Sequence, residues 1–273
     1  MQSEFAQFSP APNPQLKIGL CVETPRPELL DNLEENTQLC HLHIFGASVP
    51  SAAKNTLGDD PSLMMIQAFQ QGEIDGFVRG VNDDFSFQKK LISKMGCDPL
   101  LRVAILQDAY NHQFALGPVS AMEGINPEER GKYGLRVCAF LSDFGIRPRI
   151  AVMTGCRFNS RHLNENNRRS WAEGEELVSR FQAAGYEATN FGIELDKAVI
   201  QCNFILPVNG LVGNQLYRAI VFLGAGKVLA VPAFPISGNI FRVCYEDNSR
   251  NENQYHQHIC AAMAFAICRK NNS

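Results

Sequence analysis

The run Cys202-Asn-Phe-Ile-Leu-Pro-Val208 constrains this chain more than any other segment. It is continuously apolar apart from one Asn, too short for a globular helix, and bounded by turn residues. Such a run reads as a strand buried on both faces, the mark of an interior strand in a parallel sheet. It stops at Asn209-Gly210, and a helix is expected over Gly213–Phe222, with Leu216, Ile220 and Leu223 on one side. Phe222-Leu-Gly-Ala-Gly-Lys227 ends that helix, and Lys-Val-Leu-Ala-Val-Pro-Ala-Phe (227–234) reads as the next strand. Strand, sharp turn, helix and strand together form the repeating unit of an α/β sheet.

The rest of the chain repeats this alternation. Strands are expected at Leu16–Glu23, Leu39–Gly46, Ile74–Gly80, Leu100–Ala109 and Arg149–Thr154. Helices are expected over 28–37, over Ser62–Gln71 with a stop at Gly72, and over Asn126–Gly145. The last has the best-marked start, with Asn126 as cap, Pro127 in the first turn and Glu129 completing a capping box. Its apolar stripe is Val137, Phe140, Leu141 and Phe144. Trp171, Leu177, Val178, Phe181 and Ala184 mark another helix ending at Gly185, and Tyr255, Ile259, Ala262 and Ala266 mark the last. The fold class is therefore α/β with a mostly parallel sheet covered on both faces. Residues 1–15 hold three prolines without periodicity and read as a flexible arm, with the α/β domain over 16–273. A chain of 273 residues suits one large domain or two closely packed lobes.

Several classes are disfavoured. No apolar run reaches the ~18 residues of a membrane helix, and no secretory signal pattern opens the chain, so the expected location is the cytoplasm. A net charge of -3 is unlike a general nucleic-acid binder. The nine cysteines form no CxxC pair, which points to buried thiols; Cys156, in a polar loop, is the one expected to be reactive. His41 and His43 share a strand face, whereas His256 and His258 sit about 200° apart on a helix, so neither pair suggests a metal site. There is no GxGxxG, no GxxxxGK[ST] and no GxSxG.

In open α/β sheets ligands collect beyond the carboxyl ends of the strands. The residues that follow the expected strands are Arg79 to Asp84, Thr154-Gly155-Cys156-Arg157, Asn209 to Asn214, and Asp247-Asn248-Ser249-Arg250. They offer guanidinium groups, hydroxyls, amides and glycine-exposed N–H groups, a set suited to phosphate or carboxylate. The anion-binding candidates are thus Arg79, Thr154, Gly155, Arg157, Asn209, Asn214 and Arg250.

Ile-Asp-Gly-Phe-Val-Arg-Gly (74–80), the stretch from Gly124 to Thr154, and Asn203 to Pro232 resemble the phosphate acetyl/butyryltransferase family in order and spacing. Within that superfamily the chain is most similar to the methanogenesis marker protein 4 group, also called MtxX. The resemblance spans roughly 16–268 and implies an isocitrate/isopropylmalate dehydrogenase-like α/β/α sandwich, usually dimeric. It also implies a Ser-Arg pair near the C-terminus, here Ser249-Arg250, with an acidic residue seven positions after the Ser to deprotonate coenzyme A. That position is His256, a side chain able to act as a base near neutrality. A second departure follows Gly80, where Asp84-Phe85 stand in place of a hydroxyl pair. The catalytic candidates are therefore His256, Asp247 and Ser249.

Three functions follow as expectations. One is an anion-handling, phosphotransacetylase-like protein with coenzyme A as the candidate cofactor. Another is a methyltransferase-associated subunit that needs a methyltransferase or corrinoid protein as partner. The third is a non-catalytic binding or regulatory protein on an enzyme fold. A homodimer is expected, with no nucleic acid, membrane or metal involved.

Overall fold

Two segments that read as single strands are each two strands. In the computed structural model, which describes residues 4–23, 36–46, 54–81, 83–237, 243–244 and 254–271, both Leu100–Gln107 and Lys227–Pro235 break at a valine. The strands in chain order are β1 (Lys17–Val22), β2 (His41–Phe45), β3 (Lys54–Thr56), β4 (Gly76–Val81), β5 (Leu100–Arg102), β6 (Ala104–Gln107) and β7 (Gln113–Leu116). They continue as β8 (Arg149–Met153), β9 (Glu187–Gly192), β10 (Phe204–Leu206), β11 (Lys227–Ala230), β12 (Pro232–Pro235) and β13 (Val243–Cys244). Val103 separates β5 from β6 and Val231 separates β11 from β12.

Each break moves the chain from one sheet to another. A seven-stranded sheet runs β3-β2-β1-β4-β13-β12-β5, and a six-stranded sheet runs β11-β6-β7-β10-β8-β9. The chain correspondingly divides into two compact units, Met1–Phe5 with Leu101–Val228, and Ala6–Leu100 with Leu229–Ser273. Both sheets are mostly parallel. β1 pairs in parallel with β2 and β4, and β10 with β7 and β8, while β6–β7 and β12–β13 are antiparallel.

The helices are α1 (Pro61–Gln70), α2 (Asp84–Met95), α3 (Pro127–Asp143), α4 (Glu165–Ala183), α5 (Leu195–Gln201), α6 (Gly210–Arg218) and α7 (Gln254–Asn271). α3 starts as its sequence expects: the Asn126 side chain accepts the Glu129 N–H at 2.9 Å and Glu129 reaches back to the Ile125 N–H at 3.1 Å. A cap of this kind is worth about 1 kcal/mol. α6 begins at Gly210 rather than Gly213, and beyond Arg218 the chain widens into a π-turn over Ala219–Leu223. α2 has no counterpart in the sequence reading. Its acids are not site groups: Asp83 caps the helix, accepting the Ser86 N–H at 2.7 Å. The helix expected over 28–37 lies largely outside the described residues.

The first fifteen residues were expected to be a flexible arm, but their described part is packed. Phe5 and Phe8 are buried, and Phe8 meets Phe265 of α7 edge-on at 6.0 Å. Burying a phenylalanine contributes about 1.5–3 kcal/mol, enough to order a short segment without periodicity. β10 fits its reading closely: Phe204, Ile205 and Leu206 are all fully buried between β7 and β8.

Candidate anion site at the strand exits of the six-stranded sheet

β7, β8 and β10 run parallel and adjacent, so their carboxyl ends emerge at one edge of the six-stranded sheet. The loops that leave them carry Pro118 to Asn126, Thr154 to Asn164 and Pro207 to Asn209. Each leads to a helix whose first turn is capped by an asparagine: Asn126 for α3, Asn164 for α4 and Asn209 for α6.

α6 sits directly on the backbone that follows β7. A Cβ at Gly210 would lie 1.7 Å from the Ser120 carbonyl oxygen, and one at Gly213 would lie 1.9 Å from that of Pro118. Only glycine permits this approach. Asn214 seals it, its amide donating to the Val119 carbonyl at 2.9 Å, and the Gly210 N–H donates to the Glu123 carbonyl at 3.0 Å. The Asn-Gly-Leu-Val-Gly-Asn motif therefore builds the helix seat. Asn209 caps α6 through its oxygen, accepting from the Val212 N–H at 2.9 Å, and its amide NH2 has no partner among the described residues. Asn214 is committed to structure.

At the exit of β8, Thr154 is buried; its N–H donates to the Gly192 carbonyl at 2.8 Å and its hydroxyl to Asn190 at 3.4 Å. The Gly155 N–H, expected to face an anion, donates to the Ser170 hydroxyl at 2.8 Å. Arg157 is exposed, and no described carboxylate pairs with it. Cys156 is not the exposed thiol its polar neighbours suggest. It is 4% exposed, with its sulfur 3.6 Å from the Asn167 carbonyl oxygen.

The group with the greatest electrostatic consequence here is Arg130, in the first turn of α3, which sequence reading passed over. It is 2% exposed, and its Nη2 donates to the Met153 carbonyl at the end of β8, at 3.0 Å. Its Nε has no hydrogen-bond partner among the described residues, and no described carboxylate lies within ion-pair distance. Burial draws its pKa down to about 10, partly opposed by the field of Glu173. A buried cation without a close counter-charge is costly, because desolvation is offset only by a well-placed anion. Beside it, Arg102 donates to the Ser120 hydroxyl at 2.7 Å and approaches Glu123 at 3.6 Å. Tyr133 donates to the Arg102 carbonyl at 2.6 Å, and burial raises its pKa well above that of a free phenol. The signal for Arg130 was present: the apolar stripe of α3, followed back from Val137 at helical spacing, runs through Tyr133 to Arg130.

The remaining candidates belong to the other unit. Arg79, in β4, is buried close to His258, whose pKa falls to about 3 through burial first and the Arg79 charge second. His256 is exposed, with its Nδ1 2.9 Å from the Asn36 side-chain oxygen. Asp247, Ser249 and Arg250 lie outside the described residues. Thr154, Gly155, Arg157, Asn209 and Asn214 thus share one sheet edge, and Arg79 and His256 belong to a different sheet and helix. Among the described residues no group of His, Cys, Asp and Glu is arranged to hold a metal, and no helix is long and apolar enough to cross a membrane.

No family model matches the chain. In sequence it is similar to proteins named mtx subunit X, a provisional methyltransferase designation. It is 28% identical over 171 residues to that of Methanosarcina barkeri and 25% identical over 211 residues to that of Methanosarcina acetivorans. The first match covers 63% of this chain and 63% of that relative, less than two thirds of its length, and the second covers 77% and 74%. Among solved structures, a branched-chain phosphotransacylase from Enterococcus faecalis aligns with a TM-score of 0.72 at 17% identity, over 92% of this chain and 99% of that one. The chain has the phosphotransacylase fold. A phosphotransacetylase from Streptococcus pyogenes aligns at 0.65 and 12% identity, over 100% of this chain and 99% of its own. Both sets of relatives match the group and superfamily that the motifs resemble. The phosphotransacylase fold is also shared with a 4-hydroxythreonine-4-phosphate dehydrogenase from Klebsiella pneumoniae, TM-score 0.58, so the fold alone does not fix the reaction.

Proposed function

We propose that this protein is a phosphotransacetylase-like member of a methanogen transferase system that binds phosphate, acyl phosphate or the phosphates of coenzyme A. The anionic group lies at the exits of β7, β8 and β10. The observation that carries this is Arg130, a buried cation at a strand exit that lacks a counter-ion among the described residues. A bound anion would supply the missing charge in a low-dielectric setting, where Coulomb attraction is strongest. Arg157 and the Asn209 amide are the exposed donors beside it. Any acid–base step falls to His256, Asp247 and Ser249, with Arg250 as a further anion ligand, as the family resemblance implies. Isothermal titration of the full chain with phosphate, acetyl phosphate and coenzyme A tests this. Saturable binding of at least one is expected, and binding of none ends the proposal.

The shared name of the sequence relatives is that of a subunit, which favours a second reading. In it the protein works with a methyltransferase or a corrinoid protein. Affinity capture of the tagged chain from a methanogen extract would recover such a partner, and recovery of neither counts against it.

A further inference from the structure

The loop after β8 holds a second recognition element, separate from the buried arginine. A single 3-10 turn, Phe158–Ser160, places Phe158 and Arg161 on one side, three residues apart. The Arg161 guanidinium lies 3.6 Å from the centre of the Phe158 ring and is pinned there by its Nη1–H donating to the Phe158 carbonyl at 2.6 Å. The edge of the assembly is Trp171, at 5.5 Å and 68° to Phe158. Phe158 is nevertheless 55% exposed, unusual for an aromatic ring held in place by two neighbours. No other described ring or carboxylate contacts Arg161. The other arginines of the segment differ: Arg168 is neutralised by Glu165 at 2.8 Å and Arg169 approaches Glu173 at 3.7 Å. Arg157, immediately before the turn, has no acidic partner among the described residues.

A rigid, exposed guanidinium–aromatic stack is a platform for a planar ring, and a neighbouring unpaired arginine suits a phosphate. We infer that the Phe158–Arg161–Trp171 stack receives the base of a nucleoside phosphate whose phosphate is met by Arg157. This deepens the anion-site proposal and rests on it for the phosphate but not for the ring. The shared chemistry is a nucleobase joined to phosphate, carried either by a free nucleotide or by the nucleotide end of coenzyme A.

Trp171 is the chain's single tryptophan, so its emission reports directly on the platform. The full chain is titrated with AMP, coenzyme A, ribose 5-phosphate and inorganic phosphate, following Trp171 fluorescence and calorimetric heat together. AMP is expected to change the emission and to bind about tenfold tighter than ribose 5-phosphate, the gain typical of one stacked base. A change with coenzyme A as well identifies both sources as acceptable, and a change with AMP alone identifies the free nucleotide. Arg161→Lys keeps the charge but loses the planar fork and should abolish the tenfold gain while leaving ribose 5-phosphate binding intact. Phe158→Ala should do the same, with folding checked by circular dichroism. Equal affinities for AMP and ribose 5-phosphate, or a gain that survives in both variants, overturns the inference. If phosphate still binds in that case, only the platform fails; if no ligand produces heat, the anion site fails with it.

Discussion

Gly213→Ala is the sharpest test of how α6 is seated, because two effects of opposite sign compete. Replacing a helix-interior glycine with alanine gains about 1 kcal/mol of helix propensity. Against that, the added methyl would fall 1.9 Å from the Pro118 carbonyl oxygen and 2.9 Å from the Pro207 ring. Carbon–oxygen contacts normally sit near 3.3–3.6 Å, so backbone must separate from backbone by more than an ångström. No rotamer change relieves this. Overpacking costs about 1–3 kcal/mol, and moving the helix also loses the Asn214–Val119 hydrogen bond, worth roughly 1 kcal/mol. The net expectation is a loss of about 1–3 kcal/mol, on the order of 5 °C in thermal midpoint. Thermal unfolding followed by circular dichroism measures it, with Gln215→Ala, exposed on the same helix, as a control expected within about 0.5 kcal/mol of the parent. A Gly213→Ala protein as stable as the parent, or more stable, would show that helix propensity wins and that α6 does not rest on the backbone after β7.

Arg130→Met replaces a buried, uncompensated cation with an apolar chain of similar length, so without ligand its thermal midpoint should equal or exceed the parent's, while calorimetric phosphate binding falls at least about tenfold. A clear loss of midpoint would mean that Arg130 is a structural group. His258 supplies a pH prediction. Its folded pKa, about 3, lies below the ordinary histidine value, so between roughly pH 6.5 and 3 the unfolded chain binds the extra proton and stability falls as pH falls. Its share of the slope is on the order of 1 kcal/mol per pH unit. Urea midpoints compared between pH 6.5 and 5 should fall less steeply in His258→Gln, and an unchanged slope would refute the assignment.

How far the sequence was legible depended on whether local pattern and tertiary placement agreed. β10, α3 and the glycine stops after α1, α3 and α4 were readable because a buried strand, a capping box and a left-handed glycine each leave a local mark. The breaks at Val103 and Val231 were not, since a buried strand looks the same whichever sheet it joins. α2 was hidden by its polar composition, so its cap, Asp83, passed for a site acid. The strand-exit rule found the right sheet edge but misjudged which groups were uncommitted: Gly155 and Asn214 are consumed by internal hydrogen bonds. Arg130 was overlooked because an arginine in a first helical turn ordinarily faces water, and only its phase on the buried stripe says otherwise.

The central claim is that the anion belongs at the exits of β8 and β10, and a crystal soaked in inorganic phosphate tests it most directly. The account predicts phosphate density in contact with Arg157 or the Asn209 amide, on the same edge as Arg130. Density beside Arg79 alone, or none at a phosphate concentration that saturates binding in solution, would contradict it.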